Sequence, residues 1–235
     1  MYTFDSRIRY SEVDSEGRLT MASLINYFQD CSTFQSEDLG LGVAQLKERH
    51  LVWVLSSWQI VAERYPKLCE TVRIGTLPYS MKAFLGYRNF VMLDEKGEYL
   101  AKAHSIWSLL DTETGHPVSI PDDIYSAYPM EEKIDMEYAP RKIRVPEGGR
   151  REEALTVRKF HLDTNHHVNN QKFLEIAMCF LPEGAGIRQV RAEYKKQAFL
   201  NDVLYPRVIE EDKVVVVSLE DADGGAYMIA EFTMQ

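Results

Sequence analysis

Leu162-Asp163-Thr164-Asn165-His166-His167-Val168-Asn169 lies over Val13-Asp14-Ser15-Glu16-Gly17-Arg18-Leu19-Thr20 at a constant offset of 149 (163 − 14). In both copies an Asp follows a strand-like stretch. In both, an apolar residue and a polar N-cap candidate then open a helix. Before the first copy, residues 2–10 alternate as a strand does. After it, Met21, Leu24, Ile25, Phe28 and Cys31 fall on one helix face behind Thr20, and the pattern fades over residues 36–42. Strands are expected at residues 51–63, 71–78, 84–93 and 99–110, with turn chemistry between them. Residues 121–150 are rich in Pro, Glu, Arg and Lys and read as a linker. The order then repeats: a strand at residues 155–162, the polar loop, and a helix from Asn169 to about Leu181, stopped by Pro182. Strands follow at 188–198, 203–210, 213–219 and 226–234. Glu70-Thr71-Val72 and Asn201-Asp202-Val203 look like matching strand starts. Weak self-similarity at a domain-sized period means duplication, not a solenoid.

A strand, one helix and a run of antiparallel strands, made twice, points to an α+β fold. The second helix is apolar almost all round, through Phe173, Leu174, Ile176, Ala177, Met178, Phe180 and Leu181, so it should be buried. A sheet curled around a central helix would bury it, and that arrangement is the hotdog fold. The expectation is two tandem hotdog domains, each an antiparallel sheet wrapped around a central helix. The N-terminal one takes residues 1–125, the linker 126–152, and the C-terminal one 153–235.

The chain's 235 residues suit two domains of roughly 110–120 residues each. Its 45% apolar content is enough to build a core in both. The net charge of −9 argues against general nucleic-acid binding but allows a local basic patch. Three cysteines without a CxxC pair suggest neither a disulfide framework nor a thiolate zinc site. Cys31 and Cys179 read as core residues. No apolar run approaches the ~20 residues that span a bilayer, and residues 1–17 hold no signal-like apolar segment. The expectation is a cytoplasmic protein with no membrane association, no metal and no cofactor.

The sharpest local chemistry is the loop ahead of the second helix. Asp163, Asn165 and His167 alternate, so an extended loop can project a carboxylate, an amide and an imidazole to one side. The first N–H groups of the helix add partial positive charge there. Such a set can polarise a carbonyl and hold a water or an oxyanion. Each residue also has an ordinary reading: Asp163 can hold a turn and Asn169 can cap the helix. The first copy has Asp14, Glu16 and Arg18 at these positions, so only the second half carries the Asn/His chemistry. That suits one catalytic half and one half free to shape a binding cavity.

The sequence here resembles the acyl-ACP thioesterase family. The family pattern Asp-x-Asn-x-His-Val-Asn-Asn is matched by Asp163, Asn165, His167, Val168, Asn169 and Asn170. Further likeness lies in Leu51-Val52-Trp53-Val54, Glu63-Arg64-Tyr65-Pro66, Ser105-Ile106-Trp107 and Glu193-Tyr194-Lys195-Lys196. The resemblance implies hydrolysis of fatty acyl-ACP, with Asp163, Asn165 and His167 catalytic and the helix amides joining the oxyanion hole. Plant members carry Glu and then Cys after the Glu-Tyr-Arg-Arg stretch; here those positions are Gln197 and Ala198. A titrating base and a Cys nucleophile are therefore excluded there, while Gln197 could still hold a water. The resemblance also places the acyl chain in the first hotdog, near Leu24, Ile25, Phe28, Trp53 and Trp58, all of which can equally be plain core. The partner implied is acyl carrier protein bearing a fatty acyl-phosphopantetheine. Lys172, Arg188, Arg191, Lys195 and Lys196 are docking candidates for that acidic protein, or else a solvated face. Tandem hotdogs suit a monomer or a homodimer. Competing readings are an acyl-CoA thioesterase on the same fold, a hotdog hydratase or dehydratase, and a non-catalytic acyl-binding hotdog protein; the second fits less well because only three residues separate Asp163 from His167.

Overall fold

A computed structural model describes all 235 residues. They fall into two compact units: Met1–Ser56 with Ile60–Tyr138, and Ser57–Gln59 with Ala139–Gln235.

The first unit contains β1 (Tyr2–Arg7), α1 (Met21–Asp38), α2 (Val43–Glu48), β2 (Leu51–Ala62), β3 (Thr71–Lys82), β4 (Leu85–Leu93), β5 (Tyr99–Asp111) and α3 (Asp122–Ala127). Its strands run in the order β1-β3-β4-β5-β2. The pairs β1–β3, β3–β4 and β4–β5 are antiparallel. The β4–β5 hairpin turns where Asp94 Oδ1 accepts the N–H groups of Lys96 and Glu98, with Gly97 in the left-handed region at φ +82°. Thr20 Oγ1 caps α1 by accepting the Ser23 N–H at 3.1 Å. The helix buries Met21, Leu24, Ile25, Phe28 and Cys31, the face expected from their spacing. That face meets the sheet: the Phe28 and Phe90 rings lie 5.4 Å apart, and the Cys31 thiol reaches the Ile74 carbonyl at 3.8 Å. Helices α2 and α3 lie outside the elements that the sequence pattern predicts, because six residues are too few to display a helical period. Each contributes one buried side chain, Leu46 or Ile124, to a cluster with Leu41, Leu109 and Tyr128.

The opposite face of this sheet carries a polar aromatic group. The Tyr79 hydroxyl and His104 Nε2 lie 2.8 Å apart. The Tyr138 ring meets His104 edge-on at 5.1 Å and takes Lys133 over its own face at 3.8 Å. Burial drives the His104 imidazole down to about 4, and Lys133 pushes the same way. Folded His104 is therefore neutral where an unfolded His, near 6.5, already takes a proton. Its contribution to stability is present above the unfolded value and is lost as the pH falls from about 6.5 towards 4. The urea midpoint should drop between about pH 7 and about pH 5, and drop less in His104→Gln. An equal drop in both proteins would show that other groups set the acid limit.

The second unit contains β6 (Arg150–Arg151), β7 (Leu155–Thr156), α4 (Asn170–Met178), β8 (Ile187–Tyr194), β9 (Val203–Glu211), β10 (Val214–Glu220) and β11 (Ala226–Met234). Its strands run β8-β11-β10-β9-β6, with β7 also on β9. The strand expected at 155–162 is cut to two residues. A single-turn 3-10 helix, Lys159–His161, follows it, closed where His161 Nδ1 accepts the Arg158 N–H at 3.0 Å. The first unit makes the same closure with Glu12 Oε2 and the Arg9 N–H at 2.8 Å. Helix α4 is shorter than expected and buries one face only, through Gln171, Phe173, Leu174 and Ala177. Glu175 is exposed on the other face, where it holds Lys172 at 2.7 Å. Cys179, read as core, is exposed just beyond the helix, its thiol turned back to the Glu175 carbonyl at 3.4 Å.

The duplication persists in backbone detail. Ile8 and Val157 donate to the carbonyls of Glu70 and Asp202 at 2.9 and 2.8 Å, and receive the N–H groups of Cys69 and Asn201. Cys69 and Asn201 both sit in the left-handed region, at φ +69° and +72°. The offset is 132 here (201 − 69) because α1 has 18 residues and α2 behind it, whereas α4 has 9. Both units are hotdog domains in tandem. No helix is long and apolar enough to cross a membrane.

Candidate active site

The loop between the 3-10 turn and α4 is shaped by its own aspartate. Asp163 Oδ1 accepts the N–H groups of Asn165 at 2.8 Å and His167 at 3.3 Å. The Asp163 N–H donates to the His167 carbonyl at 2.8 Å, and the His166 N–H to the Asp163 carbonyl at 3.1 Å. The first unit repeats every one of these bonds: Asp14 Oδ1 accepts from Glu16 and Arg18, both at 2.9 Å, and the Asp14 N–H reaches the Arg18 carbonyl. The structural reading of Asp163 as a turn-former is thus correct and applies to Asp14 as well. The copies part at the crest. Gly17 takes φ +74° at no steric cost, whereas His166 adopts φ +62° in its place. A non-glycine residue there costs on the order of 1 kcal/mol, a strain carried by the second loop alone.

Long-range bonds fix where the loop points. The Val168 N–H donates to the Ala198 carbonyl at 2.9 Å, and the Asn169 N–H to the His161 carbonyl at 2.9 Å. The first of these draws Gln197-Ala198-Phe199 against the loop. The Phe199 ring meets the His167 imidazole edge-on, with centroids 4.8 Å apart. His167 is half-buried; burial holds its imidazole below the usual histidine range, opposed by the Asp163 carboxylate. Asn165 and Gln197 are exposed. Phe199 escapes a reading of the sequence, because only the Val168–Ala198 bond places it beside the histidine.

The amides of Asn165, His166, His167, Val168 and Asn169 are all engaged within the chain. The Gln171 amide is taken by the Asn169 Oδ1 cap at 2.9 Å. The loop and first helical turn therefore offer fewer free amides for an oxyanion than a bare helix start does.

The other sequence candidates are distributed as follows. Leu24, Ile25 and Phe28 are buried under the first sheet. Trp53 is half-buried, its ring over Gly86, where any Cβ would come within 3.3 Å of it. Trp58 is buried and belongs to the short Ser57–Gln59 piece of the second unit. Among the basic candidates, Lys172 is paired with Glu175, Arg191 with Glu231, Lys195 with Glu193 and Lys196 with Asp221. Arg188 is exposed on β8.

The described geometry has relatives. The chain is 26% identical over 216 residues to a chloroplastic acyl-[acyl-carrier-protein] hydrolase of Cuphea viscosissima, covering 84% of this chain and 52% of the relative. It therefore spans about half the length of the curated relatives it matches. An acyl-ACP thioesterase from Bacteroides thetaiotaomicron has the same fold with a TM-score of 0.90 at 25% identity, covering 99% of this chain and 97% of that one. The 12:0-ACP thioesterase from Umbellularia californica shares the fold with a TM-score of 0.87 at 23% identity, covering 100% and 96%. The family models for the acyl-ACP thioesterase N-terminal and C-terminal domains match residues 1–128 and 146–218, so the chain belongs to the acyl-ACP thioesterase family.

Proposed function

We propose that this chain hydrolyses the thioester of fatty acyl chains carried on acyl carrier protein, releasing free fatty acid. The observation that carries the reading is the contrast between two loops of one backbone design. Only the second sets a carboxylate, an amide and a half-buried imidazole around the same turn, beside Gln197 and Phe199.

In this reading Asp163 takes a proton from water as the water oxygen bonds to the thioester carbon. Its Oδ1 is held by two N–H groups, which leaves Oδ2 for the water. Direct attack by the same carboxylate is the other route: it expels the thiolate and leaves a mixed anhydride on Asp163, which water then hydrolyses, so both routes break the C–S bond and release the acid. The pantetheine sulfur takes up a proton and leaves as thiol, and the acyl group leaves as the acid. His167, kept neutral by its burial, donates one ring N–H to the oxygen on which charge develops. Asn165 supplies a second donor from its exposed amide, and Gln197 positions the water. With the loop amides committed to the chain, these side chains carry most of the oxyanion stabilisation.

In the same reading the acyl chain lies in the first unit, along the side of the sheet that faces Leu24, Ile25, Phe28 and Trp53. Acyl carrier protein docks through Lys172, Arg188, Arg191, Lys195 and Lys196. Lys172, Arg191, Lys195 and Lys196 already hold carboxylates of this chain, so docking exchanges one ion pair for another and is weakened by salt. A cytoplasmic setting belongs to the same proposal.

The test is incubation with matched acyl-ACP and acyl-CoA substrates over a range of chain lengths, with analysis of the free acids. Free acid should appear from acyl-ACP in preference to acyl-CoA. Turnover of acyl-ACP should fall steeply between about 50 mM and about 500 mM salt, while turnover of a small uncharged thioester hardly moves. Binding of acyl-ACP without release of acid would end the enzymatic reading.

A further inference from the structure

The hairpin-like loop that carries Asp163, Asn165 and His167 is rooted in a buried histidine. Leu162 and Val168 bridge its two arms, and below them the His161 carbonyl accepts the Asn169 N–H at 2.9 Å. Asn169 is also the cap of α4, so this bond joins the loop to the helix. The His161 side chain closes the 3-10 turn beneath. Its Nδ1 accepts the Arg158 N–H at 3.0 Å, while the His161 N–H donates to the Arg158 carbonyl at 3.0 Å. The ring is buried and meets Phe160 edge-on at 4.2 Å. Because Nδ1 accepts, the ring proton belongs on Nε2. Three charged groups lie near the ring: Arg158 on the turn, and Lys172 and Glu175 on α4, which pair with each other at 2.7 Å. Burial, then Lys172 and Arg158, favour the neutral imidazole, and Glu175 opposes them.

The first unit closes its turn with a different atom. Glu12 Oε2 accepts the Arg9 N–H at 2.8 Å and the Tyr27 hydroxyl of α1 at 2.7 Å. The two closures differ in what a proton does to them. A carboxyl group that takes a proton keeps acceptor lone pairs on its oxygens. Nδ1 has one lone pair, and a proton consumes it. The Arg158 N–H and the new Nδ1–H would then face each other across 3.0 Å, with a buried positive charge added beside Arg158 and Lys172. Residues 158–161 relieve this only by moving, and the His161 carbonyl moves with them. The loop then loses the bond at its root.

We propose that His161 is a positioning residue for hydrolysis: its neutral ring holds the catalytic loop in register with α4, and a proton on Nδ1 releases that loop. This rests on the reading of the loop around Asp163 as the site of reaction. The device belongs to the second unit alone, because the first has Glu12 in its place.

One measurement needs no substrate. The His161 ring and the backbone amides are followed by NMR as the pH is lowered. In the wild type the Arg158 and Asn169 amides should shift with the midpoint of the His161 ring. In His161→Gln, whose Oε1 can accept the Arg158 N–H as Glu12 accepts that of Arg9, neither amide should follow that midpoint. An Asn169 amide that ignores the His161 titration in the wild type overturns the proposal. The second measurement is kcat for acyl-ACP at saturation. At the pH where His161 is half protonated, His161→Gln should keep about twice the wild type's share of its neutral-pH kcat, and one pH unit lower about ten times that share. Superimposed profiles overturn the proposal and leave His167 to set the acid limb. His161→Ala strands the Arg158 N–H at every pH and should lower kcat about tenfold, with Gln restoring it; an unimpaired His161→Ala would overturn the proposal too. Should no acyl thioester be hydrolysed, the enzymatic reading fails, and the Asn169 amide still decides whether His161 holds the loop.

Discussion

Replacing Asp163 by Asn should lower acyl-ACP hydrolysis by about 10²–10⁴-fold while leaving the fold in place, the scale expected when a positioned base is removed. The substitution is informative because Asp163 has a second duty. Its Oδ1 accepts the N–H groups of Asn165 and His167, and an Asn Oδ1 can accept the same two bonds. Asn therefore keeps the loop and removes only the group that can take a proton. The first unit supplies an internal control. Asp14 makes the matching bonds in a loop with Glu16 and Arg18 in place of Asn165 and His167. Asp14→Asn should leave both turnover and melting temperature close to wild type. Asp14→Ala and Asp163→Ala should each cost stability, about 1 kcal/mol, by stranding loop N–H groups. Full activity in Asp163→Asn would reduce Asp163 to a turn-former like its counterpart, and the chemistry would then have to be sought elsewhere.

Phe28→Ala should cost about 3–5 kcal/mol of folding stability, read as a lower urea midpoint. Phe28 is fully buried and packs its ring against Phe90 across the space between α1 and the first sheet. Its truncation removes apolar area from the core and leaves a cavity that a helix tied into a sheet cannot collapse to fill. A cost under about 1 kcal/mol would mean that this space is open to solvent or already loosely filled. The two substitutions test different links. Asp163→Asn spares the fold and slows the chemistry, whereas Phe28→Ala weakens the fold without touching a reacting group.

Much of the architecture is legible in local pattern. The apolar spacing from Met21 to Cys31 marks the buried face of α1, and Thr20 and Asn169 cap their helices as their residue types suggest. The strand from Ala226 to Met234 needs no revision. The failures are equally physical. Composition overstated the burial of α4, because Ile176, Met178 and Phe180 are apolar yet only half-buried, and Glu175 faces solvent. Burial depends on what packs opposite, which a run of apolar letters does not record. The 155–162 stretch reads as a strand until His161 bonds back to the Arg158 N–H and ends it. Arg88, buried with its guanidinium on the Gln35 and Thr76 oxygens, left a trace that could have been read: it sits at the inward parity of Phe90 and Met92, where a charge is out of place.

By itself, the sequence determined that the fold is made twice and that only its second copy carries Asp163, Asn165 and His167 around the turn. Repeat register, capping chemistry and strand alternation are written in neighbouring residues, and they need no partner distant along the chain. Only the tertiary structure decided that Phe199 lies against His167, that the loop amides are already engaged, and that the buried Arg88 guanidinium is held by Gln35 and Thr76. Those facts come from hydrogen bonds and packing between residues that folding brings together from far apart in the chain, where the desolvation of each group depends on partners that its own segment does not contain.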